Sequence, residues 1–315
     1  MLNNQLFNNN NLDNLKILKI DNLTIKIDRK LILKNINLEV YKGDFLGIVG
    51  ESGSGKTTLA KACLGLINPT MGKILFYNKE ITKLNKYEKR KIGVIFQDPF
   101  SSFNPVKNIF SSLFAVLYYV CNIKDVNKAK ELIKDLFIKF ELNFDLIYRF
   151  PYEVSGGQLQ RIAIIRTLLL NPEIIVADEP TSALDANTKL AIIKILSNLP
   201  TTFIYITHDI NTLKYFEGKI GVIYKGELVE LANLKQGLDK PLHPYFRLLL
   251  NKDNYEKNNV FKEYNDLQDK DLSNRGCVFY SRCKYSISKC KEEKPILKDY
   301  KGRLVACHLI QEIEY

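Results

Sequence analysis

Three short apolar runs, at positions 45–49, 174–177 and 203–207, stand out in the hydrophobic pattern of this chain. Each run is rich in β-branched, leucine or aromatic side chains, and a glycine, an acid or a histidine follows it directly. Continuous apolar runs of this length predict strands that are buried on both faces, as in a parallel sheet. We therefore expect an α/β fold that presents functional residues at the carboxyl ends of its strands.

A helical pattern, with apolar residues three or four positions apart, occupies the middle of the chain at 126–140. The stretch before it, 109–123, is apolar but contains two serines and an asparagine, and it is too short for a membrane span of ~20 residues. We expect a helical subdomain at about 98–165, inserted into the core. The many apolar residues of this subdomain are equally consistent with two roles. They could form a docking groove for a partner, or they could pack onto the core.

A glycine-rich loop that can hold phosphate groups follows the first apolar run. Its glycines allow backbone N–H groups to converge on a pyrophosphate, while Lys56 can reach the β and γ oxygens and Thr57 can bind Mg²⁺. The strand, loop and helix start occur in the order that this motif requires. The candidate nucleotide-binding residues here are Gly50, Glu51, Ser52, Gly53, Ser54, Gly55, Lys56, Thr57 and Thr58.

Two adjacent carboxylates, Asp178 and Glu179, end the second apolar run. The carboxyl end of a parallel strand is where such a sheet contacts its ligand. We expect Asp178 to hold the metal through water, and Glu179 to polarise the water that attacks the γ-phosphate.

A second loop with anion-binding character opens the helical pattern at 159–166. It consists of Ser155, Gly156, Gly157 and Gln158, and a helix start of this kind offers free N–H groups and the positive end of the helix dipole. A single nucleotide has little need of two such loops.

Taken in order, these motifs resemble those of the ATP-binding subunits of ABC transporters, over roughly residues 16–230. The resemblance adds a glutamine loop at Gln97, a loop at 182–185 and a switch histidine at His208. It implies a nucleotide-binding core with a mixed sheet, and two such domains arranged head to tail. Each ATP would lie between the phosphate loop of one domain and the Ser-Gly-Gly-Gln signature of the other. His208 would contact the γ-phosphate, and Gln97 would join Mg²⁺ and the attacking water to the transporter interface.

The chain departs from this family pattern at Ile27, where the family usually has an aromatic residue that stacks on adenine. We expect weaker stacking and intact ATP binding, because the phosphates and the metal supply most of the affinity.

Two further segments resemble the oligopeptide, dipeptide and nickel importer ATPases, namely 97–105 and 243–250. The resemblance implies an importer that works at the cytoplasmic face of the membrane. Its partners would be a second ATPase subunit, typically a paralogue, two membrane permeases and an extracytoplasmic substrate-binding protein. The transported solute, peptide or nickel complex, is not encoded in these motifs.

Four of the six cysteines crowd into the last forty positions of the chain, at Cys277, Cys283, Cys290 and Cys307. Clustered thiols in a reducing compartment more often bind metal than form disulfides. Four thiolates can hold zinc or a [4Fe–4S] cluster, and the spacing alone does not choose between them. The surrounding sequence resembles the C-terminal extension of peptide-importer ATPases, some of which carry the cluster, so we favour the cluster over zinc. Unliganded thiols in a small packed cap are the alternative.

The composition of the chain bears on its number of domains, its binding partners and its N-terminal segment. The 315 residues are 46% hydrophobic, which is enough for one large domain and a smaller one. The net charge of +11 comes from scattered residues, which indicates a solvated surface rather than nucleic-acid binding. The Asn-rich positions 1–14 carry no signal sequence and predict a disordered leader. We expect the nucleotide-binding domain at 15–230 and the extension at 231–315.

Two other functions would use the same motifs. A soluble ABC ATPase of translation or DNA repair normally carries two core domains, coiled coils or inserted zinc modules, and none of these is evident in this sequence. A metal-sensing regulatory ATPase would depend mainly on the four cysteines.

Overall fold

The computed structural model describes residues 15–182, 184–251 and 275–312. The predicted leader at 1–14 lies outside them, as does Ala183 of the loop at 182–185. In chain order, the strands are β1 (Lys16–Ile27), β2 (Lys30–Tyr41), β3 (Phe45–Val49), β4 (Met71–Phe76), β5 (Lys79–Glu80), β6 (Ile92–Ile95), β7 (Ile174–Asp178), β8 (Thr202–Thr207), β9 (Lys219–Tyr224), β10 (Glu227–Asn233), β11 (Lys298–Tyr300) and β12 (Arg303–Val305).

The helices are α1 (Lys56–Cys63), α2 (Lys86–Lys89), α3 (Ile109–Tyr119), α4 (Val126–Lys139), α5 (Gly156–Leu168), α6 (Ala186–Ser197), α7 (Leu234–Asp239), α8 (Pro244–Leu250) and α9 (Ser288–Glu292). Short 3₁₀ helices cover Ile81–Lys83, Phe100–Ser102, Phe144–Tyr148, Pro151–Glu153, Ile210–Tyr215 and Tyr280–Arg282. No helix in the described residues combines the length and apolar content needed to cross a bilayer.

Two sheets organise the fold. Strands β2, β1, β4 and β5 form an antiparallel sheet in that order. A larger mixed sheet has the order β11-β12-β10-β9-β3-β8-β7-β6, and its strands from β9 to β6 run parallel. Every residue of β3, β7 and β8 is buried, which confirms the strands expected from the three apolar runs. Because β3, β8 and β7 are parallel neighbours, the residues that follow them emerge at one edge of the sheet.

Helices α3, α4 and α5 lie between β6 and β7 along the chain, within or overlapping the range 98–165 predicted to be helical. The spacing of buried side chains in α4, at Ala129, Ile133 and Phe137, is that of an amphipathic helix packed by one face. The three helices share one hydrophobic core with the parallel strands. Several tyrosines in this part of the chain are exposed, including Tyr119 and Tyr148.

The C-terminal part continues the sheet of the core. Strand β10 crosses the predicted boundary between 230 and 231 and pairs with β12, which in turn pairs with β11. His243 caps α8, since its Nδ1 accepts the Tyr245 N–H at 3.1 Å. We call residues 275–312 the cap. The ring of Phe279 in the cap packs against Tyr224 and Tyr245, with ring centroids 5.2 and 5.5 Å apart.

Candidate nucleotide-binding site

The glycine-rich loop runs from the end of β3 into α1, as the sequence predicts. Gly53 and Gly55 have φ angles of +77° and +103°, which glycine adopts at little cost. A Cβ at Gly55 would lie 2.7 Å from Leu33 Cδ2 and 3.1 Å from the Ile32 carbonyl oxygen, so a side chain there has no room. No side chain caps the start of α1, which leaves its first N–H groups for a ligand.

Lys56 is buried within this loop, where its Nζ donates to the carbonyl oxygens of Gly50 and Glu51 at 2.8 Å each. Burial lowers the pKa of Lys56, although the carboxylates of Glu179, Asp178 and Glu51 oppose that shift.

The Thr57 hydroxyl donates to Asp178 Oδ1 at 3.3 Å, so the loop and the end of β7 meet. Burial is the main cause that raises the pKa of Asp178, and the hydrogen bond from Thr57 partly opposes it. Hydroxyl and carboxylate oxygens are ligands that Mg²⁺ accepts. Ser54 Oγ is buried and has no hydrogen-bond partner among the described residues, as expected where a bound group completes the loop. Thr58 is half-buried in α1.

Glu179 and His208 follow β7 and β8, and His208 Nδ1 lies 3.0 Å from Glu179 Oε1. Glu179 has a φ of +48°, the left-handed region that non-glycine residues rarely adopt. Its N–H donates to the Ile206 carbonyl of β8 at 2.9 Å, which holds this turn in place. The His208 side chain is more than half exposed and the Glu179 side chain is mostly covered, so the pair faces solvent through the imidazole.

Gln97 is exposed two residues beyond the end of β6, on the same edge of the sheet as Asp178 and Glu179. A neighbouring glutamine that sequence reasoning missed, Gln160 of α5, connects these loops. Its Nε2 donates to the Phe96 carbonyl at 3.2 Å and to the Pro180 carbonyl at 2.9 Å. The only signal in the sequence was an amide on a helix face that is otherwise apolar.

The Ser155–Gln158 segment forms the start of α5. Ser155 Oγ accepts the Gln158 N–H at 3.2 Å, and Gln158 Oε1 accepts the Ser155 N–H at 3.0 Å, which is a capping box. A cavity of about 470 Å³ opens beside Gly156 and Gly157. The described residues that line this cavity include none from the glycine-rich loop.

Outside the predicted motifs, Arg282 of the cap contacts the glycine-rich loop. Its two terminal nitrogens each lie 2.8 Å from a carboxylate oxygen of Glu51. Sequence reasoning missed this contact, because Glu51 occupies a variable position of the motif and Arg282 lies 231 residues away.

At the end of β1, Ile27 is 39% exposed, so its aliphatic side chain is available for a ligand contact.

All four C-terminal cysteines lie in the cap as free thiols. Burial, with smaller effects of the other three thiols, raises the pKa of Cys277 to about 12. Burial also raises the pKa of Cys283 to about 11. The described residues contain no group of three or more His, Cys, Asp or Glu side chains placed to hold a metal ion. The structure therefore lends no support to the predicted metal centre.

Two family profiles match the chain. Residues 33–182 match the family described as ABC transporter, and residues 229–290 match the oligopeptide/dipeptide transporter, C-terminal region. The oligopeptide transport ATP-binding protein AppF of Bacillus subtilis is 36% identical over 290 residues, which cover 87% of this chain and 88% of AppF. OppF of Escherichia coli, an oligopeptide transport ATP-binding protein, is 34% identical over 286 residues, which cover 86% of each chain.

Among solved structures, the ATP-binding cassette MJ0796 in a dimeric post-hydrolysis state with ADP and Pi superposes with a TM-score of 0.62. It is 31% identical, and the match covers 69% of this chain and 99% of that one. CbiO1 of Clostridium perfringens, part of an ABC transporter complex, also gives a TM-score of 0.62 at 26% identity, over 78% of this chain and 99% of its own.

Proposed function

Because this chain belongs to the ABC transporter family of ATP-binding proteins, we propose that it is the ATP-hydrolysing subunit of an importer for di- and oligopeptides. The convergence of two pairs, Thr57 with Asp178 and Glu179 with His208, at one edge of the parallel sheet carries the proposal. The match to the oligopeptide/dipeptide transporter C-terminal region favours peptides over nickel complexes as the cargo.

The glycine-rich loop binds the ATP phosphates through backbone N–H groups of the loop and of the first turn of α1, and through Lys56, in this proposal. Thr57 and Gln97 would hold Mg²⁺ directly, and Asp178 would hold it through water. Mg²⁺ held there would supply positive charge to stabilise the negative charge that develops on the phosphate groups. The buried Ser54 hydroxyl, which lacks a partner among the described residues, supports this assignment of the loop.

Glu179 is the proposed general base. Its carboxylate orients the attacking water and accepts its proton as the water oxygen bonds to the γ-phosphorus. The bond between that phosphorus and the β,γ-bridging oxygen breaks, and ADP and inorganic phosphate leave. His208 faces Glu179 through Nδ1, which leaves Nε2 free to contact the γ-phosphate. Gln160 ties the backbone before Gln97 to the backbone after Glu179, which supports a coupling of the two residues.

A second ATPase subunit completes each site in this proposal. The signature residues 155–158 border an open cavity, and a Cβ at Gly156 would meet no atom within 4 Å. An anion-binding helix start that is open in this way can accept the phosphates bound to the loop of a partner. The partner is a paralogue rather than a second copy of this chain, as the family resemblance implies.

The exposed aromatic residues of the helical subdomain, among them Tyr119 and Tyr148, provide the docking surface for two membrane permeases. The chain would then lie at the cytoplasmic face of the membrane. An extracytoplasmic binding protein would deliver the peptide to the permeases.

The [4Fe–4S] cluster, or zinc in its place, remains a prediction from Cys277, Cys283, Cys290 and Cys307, and the proposed transport function does not depend on it. Metal analysis of the anaerobically purified protein tests this prediction. About four irons per chain with a brown colour would support a cluster, about one zinc would support a structural site, and neither metal would leave four packed thiols.

Peptide uptake by intact cells tests the proposed function. Cells that depend on this chain for uptake of a labelled tripeptide or tetrapeptide should lose that uptake when it carries Glu179→Gln. Glu217→Gln, which alters an exposed carboxylate after β8, is the matched control. Normal peptide uptake with Glu179→Gln would contradict the proposal.

A further inference from the structure

The cap holds the glycine-rich loop from outside the nucleotide-binding core. Arg282 Nη1 lies 2.8 Å from Glu51 Oε2, and Nη2 lies 2.8 Å from Oε1. This bidentate geometry fixes both the direction and the distance of the two groups. The Arg282 side chain is 10% exposed and the Glu51 side chain is 31% exposed, so solvent screens the pair less than it would screen two fully exposed side chains.

Aromatic side chains fix the guanidinium in its turn. It lies over the rings of Tyr224 and Phe279, at 5.7 and 5.9 Å from their centroids, and Nη1 lies 3.3 Å from the Tyr224 hydroxyl. Cation–π contacts with two rings, together with the hydrogen bond to Tyr224, restrict the orientation of the guanidinium. Phe279 is itself buried and packs against Tyr224 and Tyr245, so the cap presents Arg282 on a rigid support.

The same loop residue connects the cap to the lysine of the phosphate loop. The Glu51 N–H donates to the Tyr245 hydroxyl at 2.8 Å, and the Glu51 carbonyl accepts from Lys56 Nζ at 2.8 Å. The side chain, the N–H and the carbonyl of Glu51 are thus each held by a different partner. A shift of Glu51 would therefore shift the backbone that positions Lys56.

The ion pair between Arg282 and Glu51 also reduces the electrostatic repulsion between Glu51 and a bound triphosphate. An unpaired Glu51 carboxylate in the glycine-rich loop would repel a triphosphate bound there, and the adjacent guanidinium cancels most of that repulsion.

We infer that Arg282 is a positioning residue for ATP, so that the cap forms part of the nucleotide site. The inference rests on the proposed function in one respect, namely that the loop binds ATP. Arg282 acts through Glu51, both by holding the loop backbone and by neutralising the carboxylate.

Nucleotide affinity of the 315-residue chain, titrated with fluorescent ATP and ADP analogues in the presence of Mg²⁺, tests the inference. Arg282→Gln should raise the Kd for the ATP analogue about tenfold and the Kd for the ADP analogue less, because repulsion grows with phosphate charge. Lys289→Ala is the matched control, since it breaks an exposed ion pair with Glu293 elsewhere in the cap and should leave both Kd values unchanged.

The double variant Glu51→Gln/Arg282→Gln separates this role from a merely structural one. With no carboxylate left unpaired, it should recover part of the ATP affinity that Arg282→Gln loses. A purely structural role predicts instead that the double variant binds no better than Arg282→Gln, and that result would overturn the inference.

Failure of the inference can be distinguished from failure of the proposed function. If the wild-type chain binds ATP and Arg282→Gln binds it equally well, the inference alone fails. If the wild-type chain binds no nucleotide, the proposed function fails and the inference fails with it. Should Arg282→Gln not fold, Arg282→Met keeps the apolar stem without the charge, and the same comparison of Kd values applies.

Discussion

His208 Nδ1 lies 3.0 Å from Glu179 Oε1, so the side chains that follow two neighbouring parallel strands meet at the edge of the sheet. The backbone supports this contact, since the Glu179 N–H donates to the Ile206 carbonyl two residues before His208. Their separation is therefore set by the pairing of β7 with β8 rather than by a flexible loop.

Replacing Glu179 by glutamine should lower the ATP turnover rate by 100-fold or more, as is typical when a general base is lost. ATP binding should persist, because the amide keeps the size of the carboxylate and removes only its charge. Phosphate release by the assembled ATPase pair measures the turnover, with Glu217→Gln as the control. Turnover within twofold of wild type would exclude Glu179 as the base.

Lys56→Ala should weaken ATP binding by roughly tenfold or more, since it removes a charged donor from a buried phosphate site. Its Kd for a fluorescent ATP analogue should be compared with that of Lys73→Ala, which removes an exposed lysine on β4. Equal affinities for the two variants would contradict the assignment of the loop.

Gln160→Leu should lower kcat several-fold with little change in the KM for ATP, because the lost hydrogen bonds position Gln97 and Glu179 rather than bind phosphate. The variant should also lose about 1–3 kcal/mol of stability, since the buried Pro180 carbonyl and the partly buried Phe96 carbonyl lose their donor. Steady-state ATPase kinetics and urea unfolding measure the two effects. Gln236→Leu, at an exposed position of α7, serves as the control. A Gln160→Leu enzyme that changes KM and not kcat would refute the positioning role.

Ile27→Tyr should tighten ATP binding by about three- to tenfold, because an aromatic ring can stack on adenine where the aliphatic side chain cannot. Comparing ATP with inorganic triphosphate isolates the contribution of the base. The tyrosine should improve only ATP binding, and an equal gain for triphosphate would show that stacking is not the cause.

The stability of the folded chain should depend on pH through Glu230, which lies fully buried on β10. Burial raises the pKa of Glu230 to about 7. Hydrogen bonds from the N–H groups of His243 and Leu242, and the positive charges of Arg303 and Arg247, lower the pKa by less than burial raises it. The folded chain then holds this proton more tightly than the unfolded chain does. The stabilisation is complete below the ordinary pKa of 4.5 and is lost as the pH rises through about 7.

Glu230→Gln cannot ionise, so its stability relative to wild type should increase between pH 5 and pH 8, by at most on the order of 3 kcal/mol. Urea unfolding of both proteins at the two pH values measures this change. A stability difference that is the same at both pH values would contradict the raised pKa.

The elements that the sequence predicted best are those fixed by local pattern. The runs that became β3, β7 and β8 are apolar throughout because both faces of these strands are covered, and their parallel order places Thr57, Asp178 and His208 at one edge. The helical spacing of apolar residues at 126–140 has a similar cause, because α4 buries one face.

Contacts between distant positions escaped prediction. Arg282 and Glu51 are 231 residues apart, and nothing in either local sequence indicates the other. Gln160 is an amide among the apolar residues of α5, and nothing in the local sequence shows that it donates to the carbonyl groups of Phe96 and Pro180. Strand β10 crosses the predicted domain boundary because it pairs with β9 as far as Asn233. Its other edge pairs with β12, where Glu230 lies opposite Val305, and the local sequence does not indicate that partner.

Peptide-stimulated ATP hydrolysis tests the central claim most directly. The complex of this chain with its partner ATPase and permeases, reconstituted in liposomes, should release phosphate faster when peptide-loaded binding protein is present. The same complex with Glu179→Gln should release almost none. Hydrolysis that is indifferent to peptide, binding protein and permeases would contradict the account of this chain as the motor of a peptide importer.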